Sequence, residues 1–319
     1  MKTLISLTRI VAIVGLFTLT TLPPCAAAAE TAQPSLRAYG ENADVGSTFV
    51  FQGNRFYYEI YGSGAPVLLI HGNGGSINDF QEQIAVFAKH HKVIIMDSRG
   101  QGKSELGTDR LTYEHMADDT NALLEHLKLD HVPVLGQSDG GIIGLLLAIH
   151  HPEKVSKLAV MGANIEPDGA YQWAVDGVAR TRKRVMAELA HSIDAQTPQS
   201  PLLSQHLSQQ LSQQQSQLKL QLQLIDLLGN QPHIPLADLT RIEVPTLVMA
   251  GDRDVIRDDH TLRIFHAIKN SQLAIFPGAT HVIAAQDPAR FNQTVLDFFD
   301  KPFEMPDTKD MGWFDSASS

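Results

Sequence analysis

Five short, unbroken apolar runs separated by helical stretches narrow the possible folds of this chain more than any other feature. They lie at residues 66–70, 93–96, 132–135, 158–161 and 244–250. Runs of Val, Ile and Leu with no polar alternation suit strands covered on both faces, as in a parallel sheet. Between them, Met116, Thr120, Leu123, Leu124 and Leu127 recur at helical spacing, which predicts a helix over 113–128 with one apolar stripe. Residues 140–149 are apolar all round and end before Pro152, as a helix buried beneath its neighbours would. Residues 261–268 and 291–299 are later amphipathic helices, and a further strand is expected at 273–276. Strand and helix alternate, so the class is α/β. Upstream, residues 48–52 and 55–61 flank Gly53-Asn54, a hairpin signal.

The alternation lapses over residues 165–235, which are rich in Gln and Leu. Leu203, Leu207, Leu211 and Leu218 share a helical face, whereas Leu218, Leu220, Leu222 and Leu224 alternate with a period of two. Both residue types favour helix, and the position between two core strands points to an inserted helical cap; a low-complexity linker is the alternative. The core then comprises residues 30–164 and 236–301, with a tail at 302–319.

The first 29 residues stand apart. Lys2 and Arg9 precede an apolar run over residues 10–22, followed by small residues at 26–29, the pattern of a signal peptide cut after Ala28 or Ala29. Export to the periplasm or medium is expected. A lipoprotein reading at Cys25 is disfavoured, because Pro24 stands where a small residue belongs. No later stretch is long and apolar enough to span a bilayer. The formal net charge is −10 and becomes −12 once the two leader cations are removed. Nucleic acid is therefore not an expected partner, since phosphate binding requires a basic face. Cys25 is the only cysteine, which excludes thiolate catalysis and Cys-based zinc sites from the processed chain.

Gly136-Gln137-Ser138-Asp139-Gly140 is a G-x-S-x-G motif placed between a strand and a helix, the context it requires. The glycines permit a sharp turn that lifts the serine hydroxyl above the sheet, and the helix N-terminus offers free N–H groups where an oxyanion would form. A serine hydroxyl needs a base. His281, after the run at 273–276, is expected at the same sheet edge, whereas His150 and His151 close a helix at its far end. The base needs a carboxylate; Gly251-Asp252-Arg253-Asp254 follows a strand and offers Asp254, with Asp252 as the alternative. His71-Gly72-Asn73-Gly74-Gly75 follows another strand, and its glycines let backbone N–H groups turn inward. The N–H groups of Asn73 and Asp139 are expected to form the oxyanion hole, with Asp139, His71, Gly72 and Gly74 as substrate-binding positions. Neither a dinucleotide nor a Walker motif fits: position 77 is Ile and position 97 is Asp. No metal site is expected.

Taken in order, His71–Gly75, the Asp97-Ser98-Arg99-Gly100-Gln101-Gly102-Lys103-Ser104 run, the serine motif, the Asp254 loop and the Gly278-Ala279-Thr280-His281 loop resemble the α/β-hydrolase superfamily from about residue 49 to 299. The resemblance implies a mostly parallel eight-stranded sheet, a helical cap and no cofactor. Ser138 stands where dehalogenases and epoxide hydrolases of that superfamily carry aspartate, so those activities are not implied. The Ser-Asp-Gly-Gly run resembles the valacyclovir-hydrolase-like branch, which implies a preference for amine-bearing esters; alternatively Asp139 only caps the following helix. The expected reaction is hydrolysis of a small ester, lactone or thioester by Ser138, His281 and Asp254. C–C bond hydrolysis and perhydrolysis use the same three groups, and a non-catalytic binding protein on the same fold is the rival outside enzymes.

Overall fold

A computed structural model describes residues 39–194 and 205–311. The leader with Cys25, Leu203 and the end of the tail from 312 to 319 lie outside the described residues.

The described chain opens with β1 (Gly46–Phe51) and β2 (Asn54–Tyr61). Their loop is Gln52-Gly53, one residue ahead of the expected Gly53-Asn54: Asn54 already pairs with Phe51 across the ladder. Both loop residues take positive φ, 48° and 77°, the geometry that matches the twist of a two-residue hairpin. The elements that follow are β3 (Ala65–Ile70), α1 (Gln81–Phe87), β4 (His91–Met96), α2 (Tyr113–His126), β5 (Val132–Gln137), α3 (Asp139–His150) and β6 (Val155–Met161). Next come α4 (Gln172–Asp194), α5 (Gln205–Asn230), α6 (Leu236–Leu239), β7 (Thr246–Arg253), α7 (Asp258–Ala267), β8 (Ser271–Thr280), α8 (Ile283–Gln286) and α9 (Pro288–Asp300). The eight strands form one sheet in the order β1-β2-β4-β3-β5-β6-β7-β8. β2 is antiparallel to both neighbours, and every pairing from β4 to β8 is parallel. β7 starts later than its apolar run because Pro245 has no N–H to give the ladder.

Alternate residues of the central strands feed two cores. Leu68, Ile70, Ile94 and Met96 pack with α2 and α3 on one face, while Val67, Leu69, Val93 and Ile95 pack with α1 and α9 on the other. Because both faces are dry, these strands show no polar alternation in sequence. Each fully buried aliphatic side chain contributes about 1.5–3 kcal/mol of transfer free energy.

The Gln- and Leu-rich stretch is helical, as α4 and α5. Its double periodicity resolves into two faces of α5. Leu218 and Ile225, seven residues apart, meet Val185 of α4 in a small seam, whereas Leu220, Leu224 and Leu227 lean on the main core. An Arg182–Asp226 ion pair at 2.6 Å also joins the two helices. The Ile234 N–H donates to Ile165 O at 2.9 Å, so the insertion leaves and returns at one point. No described helix is long and apolar enough to cross a membrane.

Candidate active site

Ser138 sits between β5 and α3 at φ 55° and ψ −120°, a conformation costing about 1–3 kcal/mol that only a well-determined turn sustains. Its surroundings explain the two glycines. A Cβ on Gly136 would lie 2.1 Å from Gly140 O, and one on Gly140 would lie 2.0 Å from Ile70 O. The turn is therefore wedged against the end of β3, and the Ser138 N–H is held by Met161 O at 2.7 Å.

The hydroxyl faces an imidazole. Ser138 Oγ lies 2.9 Å from His281 Nε2, and His281 Nδ1 lies 2.6 Å from Asp254 Oδ1. A carboxylate only accepts, so Nδ1 carries the proton and Nε2 is left to receive the serine's. Asp254, not Asp252, holds the ring; its side chain is fully buried, and Oδ1 also accepts the Ile256 N–H at 3.0 Å. β8 runs on to Thr280, beyond the expected 273–276, and so delivers His281 directly from a strand end. Two further residues fix the ring. Gln137 Nε2 donates to His281 O at 3.2 Å, and Gly162, at φ 62°, lies so close beneath the imidazole that a Cβ would stand 2.7 Å from Cε1 and Nδ1. Sequence reading missed Gly162, although a glycine directly after the β6 run was the available signal.

Beside Ser138, the backbone N–H groups of Asn73 and Asp139 make no hydrogen bond to another described residue. Gly72 closes the loop against the serine, its would-be Cβ 3.2 Å from Ser138 Cβ. His71 turns both ring nitrogens to backbone partners. It is buried, its Nδ1–H donates to Gly72 O at 2.8 Å, and its Nε2 accepts the Ser98 N–H at 2.9 Å. Burial pushes its pKa down and keeps it neutral, as these two opposite bonds require. Gly74 stands off the cavity wall, at φ 68° on the exposed crest of the loop. Asp97, one residue past β4, binds the N–H groups of Ile77 and Lys103 at 2.9 and 2.8 Å and so ties that loop to its neighbour.

The Asp139 side chain does not cap α3, which starts at Asp139 itself. It is buried, and Oδ2 accepts from Asn73 Nδ2 at 2.9 Å. Burial raises its pKa to about 6, against lowering by the Asn73 amide, Tyr113 and the nearby His281. The Tyr113 phenol stands beside this carboxyl, whose charge adds to burial in raising the phenol's own pKa, although the hydroxyl forms no hydrogen bond of good geometry.

These groups open on a cavity of about 690 Å³. Ser138, His281, Gly72, Asn73 and Asp139 form its floor side, and Ala174, Val175 and Val178 of α4 with Leu228 of α5 form an apolar wall. Such a space accommodates a small organic molecule with one apolar portion.

A strand–Gly-x-Ser-x-Gly–helix turn on a sheet of this order, beneath a helical insertion, defines the α/β-hydrolase architecture. The chain belongs to that family: the alpha/beta hydrolase fold family model matches residues 65–288. Among curated relatives, a putative carbamate hydrolase RutD of Azorhizobium caulinodans is 28% identical over 254 residues, covering 76% of this chain and 94% of its own. A putative non-heme chloroperoxidase of Synechocystis sp. is 28% identical over 261 residues, with the same coverage. Among solved structures, MGS-M2, an alpha/beta hydrolase from a Medee basin deep-sea metagenome library, superposes with a TM-score of 0.67 at 20% identity, covering 82% of this chain and all of its own. The enol-lactonase of Burkholderia xenovorans LB400 gives 0.63 at 21% identity over 80% of this chain and all of its own.

Proposed function

We propose that the protein is a serine hydrolase that cleaves a small carboxylic ester, lactone or thioester through an acyl-enzyme. The observation carrying this reading is the hydrogen-bonded series from Ser138 Oγ through His281 to buried Asp254, beside two unpaired N–H groups. As Oγ bonds to the substrate carbonyl carbon, its proton passes to His281 Nε2, and the carbonyl oxygen takes the negative charge. The Asn73 and Asp139 N–H groups receive that oxyanion, a contribution of roughly 10²–10³ in rate per donor. Asp254 stabilises the imidazolium and fixes its tautomer. The imidazolium then protonates the leaving alcohol or thiol as its bond to the carbonyl carbon breaks. Water, deprotonated by the same nitrogen, attacks the acyl-enzyme and returns Oγ–H with release of the acid.

The relatives are named for carbamate hydrolysis and haloperoxidation, chemistry that the same three groups could perform. A fluorophosphonate probe tests the nucleophile: wild type is labelled and Ser138→Ala is not, while a folded wild type that resists labelling would favour a non-catalytic binding protein. The lining acid supports a finer reading. No described cation is paired with Asp139, so a protonated amine on the substrate would be its counter-ion.

A further inference from the structure

The two amide hydrogens of one side chain connect three parts of the molecule. Asn73 Nδ2 donates to Asp139 Oδ2 at 2.9 Å and to Leu224 O, in the C-terminal half of α5, at 3.1 Å. A primary amide has two N–H bonds, so both contacts can be made at once. Asn73 and Asp139 line the cavity with Ser138 and are the residues whose backbone N–H groups the proposed reaction uses, and α5 belongs to the insertion. The ends of the Asn73 loop are tied by His71 and by the Asp97 bond to Ile77, but at its crest Asn73 is held through its side chain. Gly74 next door takes φ 68° with nothing within 4 Å of its would-be Cβ, and a single Gly75 N–H to Gly72 O bond at 3.2 Å closes the turn. On the other side, α5 is seated at this point by Leu224 and Leu227, both buried in the main core.

We infer that Asn73 is a positioning residue whose side chain makes the oxyanion site conditional on seated α5, so that the N–H pair is correctly aimed only when the insertion is closed over the cavity. This rests on the acyl-enzyme reading above. With the helix in place, the amide is clamped between a carbonyl and a carboxylate and the loop has one geometry. With the helix displaced, the Leu224 acceptor is lost and the Asn73 side chain is held by the Asp139 contact alone. The consequence is that a substrate carbonyl meets a complete oxyanion site only once the insertion encloses it.

Hydrolysis of p-nitrophenyl acetate by the full chain tests this. Asn73→Ala should lower kcat roughly 10- to 100-fold, the scale expected for misaimed oxyanion donors, with KM changed no more than about threefold. Asn73→Asp keeps the volume but presents an acceptor to two acceptors, and should lose at least as much. Leu227→Ala, which loosens α5 without touching the cavity wall, should lower kcat in the wild-type background and have little further effect in the Asn73→Ala background, since coupled sites are non-additive. Retention of kcat in Asn73→Asp, or full additivity of the Leu227 and Asn73 losses, overturns the inference. Wild type that turns over no ester and takes no fluorophosphonate would instead overturn the hydrolase reading itself, so the two failures are distinguishable.

Discussion

At Asp139, burial raises the pKa of a carboxyl that lines the cavity. Its pKa of about 6 lies above the unfolded carboxylate value, so the group is neutral below pH 6 and charged above it. If it is the counter-ion for a substrate amine, selectivity follows that titration. The ratio of kcat/KM for an amine-bearing ester to that for its neutral isostere should rise about tenfold between pH 5 and pH 7.5 in wild type, the scale of one charge-assisted hydrogen bond, and stay flat in Asp139→Asn. Taking the ratio cancels any pH dependence that the two substrates share. A flat wild-type ratio removes the amine reading. Residues such as Ser138, His281 and Asp254 were legible because each follows an apolar run, in a fixed order, at the sheet edge where strands end. The surroundings of His71 were not legible from the same loop, because sequence shows the glycines but not that both ring nitrogens turn to backbone partners. Gly162 was missed for a related reason: that an imidazole from a distant strand end lies over it is a fact of packing alone.

Between elements, the loop after β4 is secured to α2 by a buried ion pair, in which Arg99 Nε and Nη2 bind the two oxygens of Asp119 at 2.8 and 2.5 Å with the guanidinium 5.3 Å from the Phe56 ring. Both side chains are about 1% exposed, so removing one partner strands a charge in the core. Arg99→Met should lower unfolding free energy by about 3–5 kcal/mol in urea, and pairing it with Asp119→Leu should recover most of the loss, because an apolar pair of similar volume removes the unpaired charge. Equal destabilisation by the single and double variants would show that the loss comes from packing instead. The strands were legible at this scale because continuous apolar runs have few other uses. The Gln- and Leu-rich stretch was readable as helix from propensity, yet its two faces were not, since one meets α4 and the other the core. α1, only seven residues long, carries too little periodicity to be read at all.

Across the whole molecule, burial is unevenly shared. The sheet has a dense core on each face, whereas α4 and α5 are joined by a seam of three buried side chains, Val185, Leu218 and Ile225, and their surface ion pair. Regions with few buried apolar contacts open with lower free energy than the global unfolding. Native-state hydrogen exchange should therefore show the amides of α4 around Val185 opening several kcal/mol more easily than those of β3, β4 and β5, a fraction of the roughly 5–15 kcal/mol typical of whole domains. One common opening energy for helices and sheet would contradict that division.

The bond between Ile165 and Ile234 gives that division a wider meaning. The excursion departs from one strand and rejoins its immediate neighbour through a single doorway, so the rest of the chain spans the same short gap whatever is looped out there. Variation in that loop can remodel the chamber while the reacting atoms, anchored on strand ends outside it, keep their spacing. New substrate ranges are thus open to this scaffold by exchange of one contiguous stretch of sequence, provided the replacement still offers Asn73 the acceptor that Leu224 supplies.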